Sequence, residues 1–175
     1  MRRFARLAGC RSGSAAVEMA LVVPLLLALL FGSTELGNYF LDEHILVKAV
    51  RDGARYAGRQ DFSNFSSCSG EPGGTVAADT RTLVMTGLLS GGSNRLANWT
   101  STTISVTSSC TTTAGVQTLG GIYNGNRNSS GTLIGAPIVT VTATVPYTPL
   151  LASAFGFSGT GYNLYASQQA AVAGI

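Results

Sequence analysis

Apolar residues are massed near the front of the chain and then spread out with two different periods. From Ala15 to Phe31 the run Ala-Ala-Val-Glu-Met-Ala-Leu-Val-Val-Pro-Leu-Leu-Leu-Ala-Leu-Leu-Phe carries one charged residue, Glu18. Continued to Thr34 it spans 20 residues, which as a helix measures about 30 Å, the thickness of one hydrocarbon core. From Glu35 the pattern turns amphipathic. Leu41, Ile45, Leu46, Ala49, Val50, Gly53, Tyr56 and Ala57 recur at helical spacing, while Asp42, Lys48, Arg51, Asp52, Arg55 and Arg59 take other positions. No stop signal separates the two stretches, so the pattern predicts one helix from about Ser14 to Gln60. Ala49, Gly53 and Ala57 form a small-residue row that admits close approach, either of the protein's own core or of a neighbour in a filament.

Beyond the helix, residues 61–74 read as a loop on their Gly, Ser and Pro content. Val76, Thr80, Leu83, Val84, Gly87 and Leu88 predict a second helix over 75–90, stopped by Gly91-Gly92. The period then becomes two. Ile104 and Val106 alternate with Ser and Thr, and Val139, Val141, Ala143, Val145 and Tyr147 alternate with Thr140, Thr142 and Thr144. Leu164, Ala166, Gln168, Ala170 and Val172 predict a last strand, and the Thr/Gly/Asn/Ser-rich residues 111–135 a long hairpin loop. The fold class expected is a membrane-anchored α+β protein. A long N-terminal transmembrane and stalk helix packs on a small antiparallel sheet with one extra helix. The expected divisions are a basic leader (1–13), a transmembrane helix (14–34), an amphipathic stalk (35–60) and an exported α+β head (61–175).

Charge sharpens this division. The chain has 11 basic and 8 acidic residues, a net charge of +3. Arg2, Arg3, Arg6 and Arg11 all precede the first acid, Glu18, so the remainder carries one net negative charge. A nucleic-acid interface needs its cations clustered on a folded face, and this distribution does not support one. Arginines on one flank of an apolar span place that flank in the cytoplasm and the rest of the chain outside. Only 11% of residues are charged, well below the quarter usual for globular chains, which argues against an ordinary cytoplasmic enzyme.

Three readings compete for the apolar segment. A secretory signal has a shorter core followed by a small-residue cleavage site, and none follows Phe31. A plain anchor has the right length and leaves Glu18 as a carboxylate that snorkels to the interface. The third reading uses Glu18, because a carboxylate in hydrocarbon costs on the order of 3 kcal/mol and commonly marks function or a partner. The string Gly13-Ser14-Ala15-Ala16-Val17-Glu18, preceded by four arginines, resembles the processing site of type IV prepilins. Extended through Met19-Ala20-Leu21-Val22-Val23-Pro24-Leu25-Leu26-Leu27 and Phe31-Gly32-Ser33-Thr34-Glu35-Leu36-Gly37, it resembles the TadE-like family. Those are pilin-like proteins of the tight-adherence (Tad, or Flp) pilus. The resemblance is closest over residues 11–60.

The resemblance implies cleavage between Gly13 and Ser14 by a prepilin peptidase on the cytoplasmic side, leaving the apolar helix on the mature protein. Glu18 then stands one helical turn beyond a new α-amine at Ser14, and in stacked subunits it pairs with the amine of a neighbour, as buried charges require. It also implies a bacterial inner-membrane location, partners among the major Flp pilin, other pilin-like subunits and the assembly platform, and a part in adherence and biofilm formation. Pro24 inside the run either kinks the helix or is simply tolerated there.

The remaining chemistry is sparse. Cys10 lies in the leader, so Cys68 and Cys110 remain as a pair outside the membrane. If oxidised they close a loop of about 43 residues, contributing roughly 4 kcal/mol. With one histidine and no Cys-x-x-Cys, no metal spacing competes. His44 lies beside Asp42 and Glu43 and reads as solvated. No Gly-x-Ser-x-Gly and no phosphate-binding loop is present, so neither an enzyme nor a cofactor is expected. The Tyr147, Pro149, Leu150, Leu151, Phe155 and Phe157 stretch serves either as a docking surface or as a loop covering the sheet edge. The rival to a pilus component is an unprocessed single-span envelope protein whose outer domain binds a ligand.

Overall fold

The computed structural model describes residues 12–111, 123–124, 126–127, 130–131, 135–151 and 161–174. Arg2, Arg3, Arg6, Cys10, Arg11, Phe155 and Phe157 lie outside the described residues.

Helix α1 runs without a break from Ser12 to Ala57, 46 residues or about 69 Å, with Pro24 inside it. Every residue from Ala15 to Leu30 is exposed. Burial starts at Leu46 and then follows the helical period through Ala49, Val50, Ala54 and Ala57. The helix stops three residues short of Gln60, where the end of the sheet meets it. The Ala173 N–H donates to the Gly58 carbonyl at 2.7 Å.

The sheet that receives this face has the order β1-β2-β3-β4 with every pairing antiparallel. Its strands are β1 (Ser69–Gly70), β2 (Ile104–Thr111), β3 (Ala136–Pro146) and β4 (Asn163–Ala171). The residues read as alternating do alternate. Ile104, Val106, Val139, Val141, Ala143, Val145, Leu164 and Ala166 turn inward, β3 and β4 onto α1 and β2 toward the second helix, leaving Thr107, Thr140, Gln169 and their neighbours on the outer face. Helix α2 (Val76–Thr86) packs against the upper part of α1, adding Val76, Ala77 and Val84 to the core. It is shorter than the 75–90 expected. Gly87 adopts a left-handed φ of 83°, and its N–H closes onto the Leu83 carbonyl. Leu88 and Leu89 are left exposed.

The region 61–74 is not all loop. Phe62–Phe65 forms a 3₁₀ turn capped by the Asp61 side chain, and β1 adds a two-residue edge to β2. The Ala49, Gly53, Ala57 row is spent on the core. A methyl group on Gly53 would overlap Val84 Cγ2 and lie 3.3 Å from Thr80 Cγ2. The protein is thus an α+β molecule whose long apolar helix packs on a four-stranded antiparallel sheet with a second helix.

Candidate functional site

A single helix carries both halves of the site. Gly13 and Glu18 lie in its first two turns, and both are exposed. At 100° per residue, Ser14 and Glu18 share a face about 6 Å apart along the axis. Above them the sequence supplies only apolar side chains to the surface as far as Phe31, with Leu21 74% exposed. Soluble proteins rarely leave so long an apolar surface uncovered. This stretch is long and apolar enough to cross a membrane. In hydrocarbon, Glu18 is then the one ionisable group between Ala15 and Thr34.

The head grips the helix immediately beyond this span, through a residue that sequence reasoning did not single out. Glu35 is the first charged residue after the apolar run, and its carboxylate collects three donors. Tyr147 Oη donates to Oε1 at 2.6 Å, the Leu150 N–H to Oε1 at 3.2 Å and the Leu151 N–H to Oε2 at 3.0 Å. Asn38 Nδ2, one turn further on, donates to Tyr147 Oη at 3.1 Å, while Tyr39 meets the Tyr147 ring edge-on at 5.2 Å. The Tyr147 hydroxyl is the main influence holding the Glu35 carboxyl below its usual range. The two amides assist, and partial burial opposes them. The Tyr147 phenol moves upward, chiefly through burial and then through the carboxylate it serves. The segment 147–151 is therefore a strap that fastens the head to α1, with Thr148 and Leu150 exposed.

Two further ties hold the head together. Cys68 and Cys110 form a disulfide, joining the residue before β1 to the end of β2. Glu71 and Arg81 form an ion pair, and Arg81 Nε also donates to the Ile104 carbonyl. Asp79 accepts from Thr75 Oγ1 at 2.7 Å and Tyr56 Oη at 3.3 Å, so it is engaged in tying α2 to α1. His44 is exposed on α1. The structure does not bring Glu71, Asp79 and His44 together, and no cluster of three or more potential metal ligands occurs among the described residues. A cavity of about 260 Å³ lies at the base of the head between Asn38, Asp42, Arg95, Thr148 and Leu150. Burial raises the Asp42 carboxyl above its usual range.

These features define a class: an α+β head carried on one continuous helix, whose N-terminal half is apolar and uncovered. Residues 13–55 of the chain match the family model described as TadE-like protein. The match opens at Gly13, takes in Glu18 and Glu35, and closes at Arg55, so it covers 43 of 175 residues. It agrees with the resemblance carried by Gly13–Glu18 and Phe31–Gly37. The sheet and α2 lie beyond it. No curated protein and no solved structure matches the chain.

Proposed function

We propose that this protein is a pilin-like structural subunit, a minor pilin or pseudopilin, in the assembly of a Tad/Flp pilus. The observation that carries the proposal is the coincidence of a TadE-like match opening at Gly13 with an uncovered apolar helix bearing Glu18 in its second turn. In this account Arg2, Arg3, Arg6 and Arg11 hold the N-terminus in the cytoplasm of a bacterial cell. A prepilin peptidase cuts between Gly13 and Ser14, and the head stands outside the inner membrane. The Glu18 carboxylate recruits the Ser14 amine of an adjacent pilin-like subunit, since each charge is costly in lipid alone and tolerable as a pair. The helix and head act mechanically rather than catalytically, supporting the fibre and through it adherence.

Glu18→Ala tests this directly. The substitution removes a charge from the span, so insertion into the membrane is retained or improved. Pilus assembly, counted by electron microscopy in cells carrying the variant, should be lost. Normal piliation with Glu18→Ala would favour the alternative reading of an unprocessed single-span envelope protein with an extracytoplasmic binding domain.

A further inference from the structure

Among the described residues, nothing in the head covers one face of α1 above the span. The buried residues Leu46, Ala49, Val50, Ala54 and Ala57 occupy one side of the helix. At 100° per residue, His44, Lys48, Arg51 and Arg55 fall within an arc of about 60° on the opposite side. All four are exposed. Below them the same side presents Gly37, Phe40 and Leu41, with Leu41 64% exposed. Arg59 stands exposed one turn beyond the helix-borne cations.

The charge on this strip is unbalanced. Four of the eleven basic residues lie before position 13, and Lys48, Arg51, Arg55 and Arg59 are four of the seven that remain. None of the four has a side-chain ion pair among the described residues. The one acid at the rim, Asp52, faces Arg95 at 3.7 Å.

Height along the helix decides what kind of anion can meet it. Lys48 is 14 residues beyond Thr34, about 21 Å, and Arg55 about 32 Å. The headgroup layer adds only about 5–8 Å beyond the hydrocarbon, and the Debye length is about 8 Å at physiological salt. Lipid phosphates therefore lie out of reach of Lys48 and everything above it. A neighbouring helix that packs beside the span stays alongside as it leaves the membrane, and it meets this strip over its full length. A second copy at the same height would set cations against cations, which opposes association.

We propose that His44, Lys48, Arg51 and Arg55 form a docking strip for the parallel stalk helix of a different membrane-anchored subunit. That subunit carries Asp or Glu at i, i+3 or i+4 spacing at the matching height, and the same charges reject a second copy of this chain. The proposal rests on the membrane-anchored reading given above.

The test uses the full chain in detergent micelles. Its probe is a variant of the same chain, Lys48→Glu/Arg51→Glu/Arg55→Glu, which supplies an acidic helix of known geometry. Both forms carry Cys10→Ser and Gly37→Cys, the latter an exposed position with open space around it on the same side. Thiol cross-linking should join wild-type strip to reversed strip at least tenfold more than either form to itself, and about 0.5 M NaCl should abolish the difference. Equal self and mixed cross-linking, or mixed cross-linking insensitive to salt, overturns the proposal. So does binding of wild type to heparin without mixed pairing, which assigns the strip to a polyanion. If the triple variant loses the circular dichroism of the wild type, Lys48→Glu/Arg55→Glu takes its place under the same criteria. Alkaline extraction of cell membranes checks the anchor separately, because release of the chain would refute the span without touching the pairing result.

Discussion

Removing the Glu35 carboxylate should loosen the strap that fastens the head to α1, and the size of the effect follows from its three donors. A hydrogen bond to a charged group contributes about 1.5–3 kcal/mol when shielded from water and less at a surface. The Leu150 amide sits on an exposed residue and can rehydrate when the carboxylate is lost, so it contributes almost nothing. Tyr147 is only 7% exposed, and its hydroxyl loses its 2.6 Å acceptor while keeping Asn38 as a donor. The Leu151 amide is part-buried. Glu35→Ala should therefore cost about 2 kcal/mol. Native-state hydrogen exchange on the detergent-solubilised chain would register this as roughly thirtyfold faster exchange at Leu151, given tenfold per 1.4 kcal/mol.

Acid should act on the same bond. Because the folded carboxyl titrates below its ordinary value of 4.5, the strap's contribution is complete above that value and is lost as pH falls through the folded one. Wild-type Leu151 protection, corrected for intrinsic exchange, should weaken at low pH while Glu35→Ala shows no such step. Unchanged protection at Leu151 in Glu35→Ala would refute the reasoning.

Other substitutions probe the packing and the cross-link. Gly53→Ala gains about 1 kcal/mol in helix propensity but drives a methyl into Val84; overpacking costs about 1–3 kcal/mol. The net is a lower melting temperature, and a higher one would contradict the packing described. Cys68→Ser removes a cross-link between residues 42 apart, which by chain entropy contributes about 4 kcal/mol. Its thermal midpoint should fall to that of the reduced wild type.

The long helix, the inner faces of three strands and the extra helix were legible because each rests on local periodicity. Val139 to Val145 can only bury one face in a strand, and an apolar run without caps has no reason to stop before Glu35. What escaped was set by contacts distant in sequence. The Glu35 carboxylate meets Tyr147 across 112 residues, and no spacing rule links them. Its one local signal was an acid at the end of the span. Strand β1 is too short for a period and exists because Ser69 and Gly70 pair with Ser109 and Ser108, beside the Cys68 disulfide. Helix α2 ends early because Gly87 turns left-handed, although Leu88 keeps the helical spacing. For the Gly13, Ser14 and Glu18 site, sequence supplied the residues and the structure their common helix. Under the proposed function their chemistry belongs to an encounter with another subunit, which no pattern within one chain displays.

The most direct measurement is the intact mass of the chain extracted from the membranes of its own cells. A mature protein beginning at Ser14, lighter by the leader through Gly13, is the result expected of a prepilin-type subunit. A chain that still carries Met1 and its four arginines would contradict it.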